Sequence, residues 1–241
     1  MKNILIIGGA RGIGRALAKQ LSAQATHLFI TSREFEKTRQ SEQGVYQLGC
    51  DITQTDSIHR LFNAIEQQVD SLDLLINCAG VLHNDDYQPE KSLQQVDKDN
   101  LLHNYHVNAL GHLIVLKYAE NILSQSKQGL VASISARIGS LEDNYLGGWY
   151  AYRMSKAALN MGLKTLSIEW ARKHPHIKFL LLHPGTTDTE LSRPFQKRLP
   201  KGQLQTTEET ASMLLEQIEK NKDHKNKHAV FIDYAGKTIP W

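Results

Sequence analysis

A single doubly wound α/β domain over 1–241, with a seven-stranded, mostly parallel sheet and helices on both faces, is the fold class this sequence predicts. Two observations carry it. Short apolar runs recur along the chain, each followed by a longer helical pattern, and alternation of strand and helix builds such a sheet. Most of the runs are also continuously apolar rather than alternating, as strands covered on both faces must be.

In order, the runs are 3–7 (NILII), 27–31 (HLFIT), 45–48 (VYQL), 72–77 (LDLLIN), 130–135 (LVASIS), 177–183 (IKFLLLH) and 229–233 (AVFID). Helical patterns cover 12–23, 55–69, 97–125, 151–173 and 207–220. No repeat, low-complexity tract or linker interrupts them. The longest polar intervals, 81–96 and 186–206, are predicted to leave carboxyl ends of strands, where the ligand crevice of such a sheet lies. Either interval is a substrate wall or a plain solvated loop.

Composition agrees with one soluble globular domain: 41% hydrophobic and 22% charged residues. A net charge of +3 gives no footprint for nucleic acid, although local arginines still matter to an anionic cofactor. Two cysteines, Cys50 and Cys78, make neither a disulfide framework nor a metal cluster. The N-terminus enters a strand directly, without the features of a signal peptide, and no apolar run approaches the ~20 residues of a membrane span. A cytoplasmic protein without membrane or nucleic-acid partners is expected.

Directly after the first run stands Gly8-Gly9-Ala10-Arg11-Gly12-Ile13-Gly14, followed by a helical pattern. Glycines there turn the chain sharply, bring main-chain N–H groups against a pyrophosphate and aim a helix N-terminus at it. The end of the second strand selects the nucleotide. An acidic residue there binds ribose hydroxyls and repels a 2′-phosphate. Here Thr31-Ser32-Arg33 hold that region and Glu34 follows. Arg33 together with Arg11 favours NADP(H) over NAD(H), because two guanidinium forks suit a phosphate. A solvated Arg33 with Glu34 on the ribose is the alternative.

In its motifs the chain resembles the short-chain dehydrogenase/reductase family over nearly its whole length. Its glycine loop fits T-G-x-x-x-G-x-G, with Ile7 in place of threonine. Asp51 in CDIT, followed by Ile52, fits the aspartate that meets the adenine. Asn77-Cys78-Ala79-Gly80 fits N-x-A-G, and Asn108 in HVNALG the helix asparagine. Tyr152 and Lys156 fit Y-x-x-x-K, and Pro184-Gly185 in HPGTTDT the turn after the sixth strand. GGWYAYRMSKAALN, LHPG and the ending IPW are similar to the small carbonyl-reductase branch that includes Sniffer-like and C-factor-like proteins. The resemblance implies a nicotinamide cofactor held by Gly8, Arg11, Gly12, Ile13, Gly14, Arg33, Asp51, Ile52, Asn77, Ala79, Gly80, Pro184, Gly185, Thr187 and Thr189. Blander roles stay open: Asp51 as the cap of a turn, Asn77 as a strand-end support, Thr187 and Thr189 as a turn start.

The chemistry follows from spacing. Tyr152 and Lys156 lie four apart, on one face of a helix, whereas Tyr150 points elsewhere. A free phenol has a pKa of about 10; a neighbouring ammonium and an oxidised nicotinamide lower it. Tyr152 is therefore the expected general acid towards a carbonyl oxygen, and the cofactor would bring the hydride. By resemblance, Lys156 also holds the nicotinamide ribose and Asn108 helps carry protons. The family's serine falls on Ala136 by direct overlay; Ser135 is the choice here, with Ser140 second, because Ser135 ends the strand.

No metal site is expected: His103, His106, His112 and His183 lack a ligand set. Cys78 reads as a small core residue. Tyr145, Leu146, Trp149 and Phe195 are candidates for an apolar pocket taking a small carbonyl or alcohol substrate. The 151–173 helix is apolar widely around its circumference, so a homodimer or homotetramer is expected. A cofactor-binding regulatory module with a decayed site is the competing reading.

Overall fold

A computed structural model describes residues 3–35, 39–40, 44–84 and 86–241, and of Arg198 the backbone alone. Position 85 of the 81–96 interval lies outside the described residues.

The main sheet contains β1 (Asn3–Ile7), β2 (His27–Ser32), β3 (Arg39–Gln40), β4 (Val45–Gly49), β5 (Leu74–Asn77), β6 (Leu130–Ile134), β7 (Lys178–His183) and β10 (Val230–Asp233). Their spatial order is β10-β7-β6-β5-β1-β2-β4-β3. The seven anticipated strands pair in parallel, and the two-residue β3 joins the edge antiparallel to β4. Sequence reading misses β3 because two exposed polar residues carry no apolar run. It misses a separate two-stranded piece, β8 (Thr186–Thr187) with β9 (Leu204–Gln205), because strands of two residues are too short to carry an apolar run. That piece closes the 186–206 interval on itself.

The helices are α1 (Gly12–Leu21), α2 (Thr55–Glu66), α3 (Lys98–Tyr105), α4 (Gly111–Ser124), α5 (Tyr150–Lys173) and α6 (Thr207–Asn221). Between α3 and α4, residues His106–Leu110 form a π-helical turn. Apolar periodicity alone reads the whole 97–125 span as one helix, because one extra residue in a turn leaves composition unchanged.

Side chains alternate across the sheet as strand geometry requires. Leu5 and Ile7 of β1 enter one core with Leu116, Leu159 and Leu163 from α4 and α5. Ile4 and Ile6 enter the other with Leu17 of α1 and Leu214 of α6. All of these are fully buried, at about 1.5–3 kcal/mol of transfer free energy for each large aliphatic side chain. Strand order reverses between β1 and β5, where Ile7 and Asn77 are register partners. The loops leaving both strands diverge there, and a crevice opens above them.

Candidate active site

A cavity of about 1250 Å³ occupies that crevice. Its floor is the glycine loop. Gly8, at φ +74°, sits where an added Cβ would lie 3.2 Å from the Ala79 nitrogen, so the loops after β1 and β5 touch. Gly12 also has positive φ (+52°), which exposes backbone at the start of α1. Gly80 would place a Cβ 3.7 Å from Lys156 Nζ and 3.4 Å from Asn108 Oδ1. A side chain there would fill the cradle, so these residues fit a bound dinucleotide.

Gly8, Arg11, Gly12, Ile13, Gly14, Ala79, Gly80, Tyr152, Lys156, Pro184, Gly185, Thr187 and Thr189 all line this cavity. Asn77 is buried just behind it: its Oδ1 accepts from the Ala79 N–H at 3.1 Å, and its Nδ2 is buried without a partner among the described residues. Thr187 is buried too, its hydroxyl 2.8 Å from that of Thr210. Ile52 is buried in the core and packs against Gly111.

The two arginines of the nucleotide argument stand at different walls. Arg11 lines the main cavity and pairs with Glu190 at 3.2 Å across its mouth. Arg33 lines a separate hollow of about 410 Å³ with Asp51, Ser57 and Arg60. Arg60, in the middle of an ordinary amphipathic helix, gave no sequence signal. Asp51 Oδ1 accepts from both the N–H and the hydroxyl of Thr53, at 2.9 and 2.8 Å, and so caps a turn as well as facing that hollow.

At the other end α5 brings Tyr152 and Lys156 to the cavity. Lys156 is 2% exposed; its ammonium donates to the Ile134 carbonyl at 2.9 Å and lies 5.9 Å from the Tyr152 ring centre. Burial pushes the Lys156 amine down to about 8 and pushes the Tyr152 phenol above its ordinary value. The protein alone thus keeps the phenol protonated, as a proton donor must be. The lowering expected from the Lys156 ammonium does not appear: burial is the cause that acts on the phenol, and it acts upward. Gly139 completes the seat: a Cβ there would press on the backbone and Cβ of Lys156, at 2.8 and 2.9 Å.

Asn108 lies in the π turn, fully buried. Its Oδ1 accepts from the Val81 N–H, and its Nδ2 donates to the Val81 carbonyl, each at 2.8 Å, and also to Ser155 Oγ at 3.0 Å. It stitches the loop after β5 to α5. A π turn at such a residue marks functional sites in many helices, since it re-aims one side chain without ending the helix. His112, fully buried on α4, touches the Ala79 carbonyl through Nε2 at 3.0 Å. Burial pushes its imidazole down to about 3, so it stays neutral.

Ser135 reaches the cavity wall, yet its hydroxyl donates inward to Asn160 Oδ1 at 2.6 Å. Ser140 accepts from the Asp143 N–H and is buried off the cavity. Ala136, with no hydroxyl to offer, lines the cavity beside it. Of the pocket aromatics, Trp149 and Phe195 meet with ring centres 4.7 Å apart and line the cavity. Tyr145 and Leu146 do not: they are 86% and 92% exposed, because the glycines after them turn the loop outward. That expectation is corrected. Among the described residues no group of histidines, cysteines and carboxylates has the arrangement of a metal site, and no helix is long and apolar enough to cross a membrane.

A dinucleotide crevice whose far wall carries a phenol beside a buried lysine is the architecture of nicotinamide-dependent oxidoreductases. The chain belongs to the short chain dehydrogenase family, whose profile matches residues 2–200. Among its relatives, C-signal of Myxococcus xanthus is 35% identical over 170 residues, covering 70% of this chain and 93% of that protein. The carbonyl reductase Sniffer of D. melanogaster superposes with a TM-score of 0.84 at 25% identity, each chain being fully covered. An NADPH-bound carbonyl reductase from chicken fatty liver shares the fold, with a TM-score of 0.83 at 21% identity over 100% of this chain and 94% of the other.

Proposed function

We propose that this oxidoreductase reduces small carbonyl compounds with NADPH, Tyr152 being the general acid. The meeting of Tyr152 with the buried ammonium of Lys156, at the cavity wall opposite the glycine cradle, carries this reading. When bound, the cofactor supplies the hydride. Tyr152 gives its proton to the carbonyl oxygen, and Lys156, held by the Ile134 carbonyl, favours the phenolate left behind. Asn108 keeps the loop after β5 against α5, so that Gly80 and Lys156 face one another across the site. Trp149 and Phe195 offer a flat apolar wall to the substrate. Likeness to a Sniffer carbonyl reductase supports this substrate class. The test is NADPH consumption over a broad panel of ketones, aldehydes and quinones. Binding of NADPH without turnover of any of them would defeat it.

That outcome would favour a second reading, a cofactor-binding signalling module. Two observations speak for it: the likeness to C-signal and an alanine, Ala136, lining the cavity where the family's serine is expected. Ser135 supports the wall through Asn160, whose Nδ2 reaches the Gly139 carbonyl at 3.3 Å. Its hydroxyl could serve a substrate only by leaving Asn160. Ser135→Ala is therefore expected to lower stability by about 1–3 kcal/mol, since a buried acceptor loses its donor. It should lower kcat less than loss of the Tyr152 hydroxyl. Thermal melts and steady-state kinetics on one preparation separate the two effects.

NADP(H) preference rests on Arg33, with Arg60 beside it, and on Arg11 once released from Glu190. A charge-assisted contact is worth about 1.5–3 kcal/mol, so Arg33→Ala should weaken NADPH binding roughly tenfold or more and leave NADH nearly unchanged. Equal losses in fluorescence titrations with both would remove the argument. A homodimer or homotetramer is part of the same proposal. Met154, Met161 and Ile168 form one stripe along α5, at 58%, 66% and 42% exposure. Only a monomer at micromolar concentration in light scattering would speak against it.

A further inference from the structure

The geometry points to Glu90 as a positioning residue for the catalytic helix, fixing Tyr152 by capping the first turn of α5 from outside the helix. It rests on the reading of Tyr152 as the acid. Helix α5 begins at Tyr150, so Tyr152 lies in its first turn, where backbone N–H groups have no partner within the helix. The helix does not cap itself. Its N-cap residue, Trp149, makes no side-chain cap bond, and no acidic residue lies in the first turn. Trp149 is also in the left-handed region, at φ 54° and ψ 46°, following Gly147 at φ 63° and Gly148 at φ 65°. Among the described residues no other non-glycine residue has positive φ. A bulky residue persists there only where its surroundings hold it.

Glu90 provides that hold, sixty-one positions upstream of the N–H group its carboxylate binds. Its main-chain carbonyl accepts from the Trp149 N–H at 2.5 Å, and carboxylate Oε2 accepts from the Ala151 N–H at 3.2 Å. At 4% exposure the carboxylate is buried, and the positive end of a 24-residue helix gives it electrostatic compensation. Other charges face the same turn. Lys91 follows Glu90 in sequence, and the Arg153 guanidinium donates to the carbonyls of Gly147 and Gly148, at 3.1 and 3.0 Å. Glu90 thus secures the N–H groups of the turn while Arg153 secures the carbonyls before it. Pro89 and Lys91 line the cavity and Glu90 does not, so it acts through the helix rather than on a substrate. Two things follow from its hold: the Trp149 indole stays against the Tyr152 ring, at 6.4 Å between centres, and the phenol stays on an unfrayed turn.

The test uses Glu90→Ala, Glu90→Gln and Glu90→Asp in the full chain. A displacement of about 1 Å in a reacting group lowers rate by up to about a hundredfold. Glu90→Ala should therefore reduce kcat by roughly tenfold to a hundredfold, with the Kd for NADPH unchanged. Glu90→Gln keeps an acceptor oxygen at the same reach and should recover most of the rate, whereas the shorter Glu90→Asp should not. The pH profile should keep its shape in all three, because position and not charge is at stake. Hydrogen exchange at the Ala151 amide, which the carboxylate binds, should quicken in step with the loss of rate. Wild-type kcat in Glu90→Ala, or a fall in NADPH affinity parallel to kcat, would overturn the proposal. Should Glu90→Ala not fold, the order of the Gln and Asp variants decides, and Asp at or above Gln overturns it. If the unaltered chain reduces no carbonyl, the reductase reading falls separately. Exchange then decides alone: protection retained in Glu90→Ala rejects the cap, and protection lost supports it.

Discussion

Tyr152→Phe is expected to remove nearly all carbonyl reduction and leave NADPH binding intact. The substitution deletes one oxygen and keeps the ring that Trp149 packs against, so α5 and the cavity wall should survive. What disappears is the proton donor, and general acid assistance of this kind contributes about 10²–10⁴-fold. Burial already holds the phenol in its protonated form, and Lys156 alone cannot replace it, because its ammonium is turned to the Ile134 carbonyl. Tyr150→Phe is the matched control and should keep most of the activity, since Tyr150 does not line the cavity. Kinetics of both variants beside an NADPH titration check this. An inactive Tyr150→Phe with an active Tyr152→Phe would transfer the role and undo the helix-face argument.

Gly14→Ala carries the second large effect, on the cradle. A Cβ at Gly14 would collide with the carbonyl group of Gly8 and crowd the Gly9 backbone. Neither obstacle is the tip of a flexible side chain, so α1 must move away from the loop as a whole. Helix α1 packs on α6 through Leu17 and Leu214, and overpacking of such a joint costs about 1–3 kcal/mol. The same movement carries the first-turn N–H groups of α1 away from where a pyrophosphate would lie. A lower melting temperature together with at least tenfold weaker NADPH binding is expected. Calorimetry and titration on the same sample would show it; unchanged affinity would mean that the cradle tolerates a displaced helix.

Most of the fold was legible because its signals are local and periodic. Ile4 and Ile6 face one core and Leu5 and Ile7 the other, so β1 is apolar throughout and reads as a strand covered on both sides. The glycine loop and the Tyr152–Lys156 spacing were legible for a similar reason, since each states its geometry in a few adjacent residues. What stayed hidden depends on contacts across the chain. Nothing near Glu90 announces a helix whose cap it supplies, and Ser135 and Ser140 differ only in what their hydroxyls meet after folding. The placement of Arg33 in one hollow with Arg60, apart from Arg11, belongs to the same group. So does the outward turn of Tyr145 and Leu146, which apolar character alone placed in the pocket.

The two faces of the sheet divide the labour of this site. The glycine cradle is backed by the core under α1 and α6, whereas α5, with Tyr152 and Lys156, is backed by the core under α2 and α4. Between them stands a wall of strands with nearly incompressible packing. On the proposed mechanism, loosening on the first side is expected to weaken the grip on the cofactor's phosphates, and loosening on the second to slow proton transfer. Grip on the cofactor's phosphates and reaction rate are therefore expected to respond to substitutions on opposite sides of the sheet, whereas nucleotide choice, through Arg60 on α2, shares the side of α5.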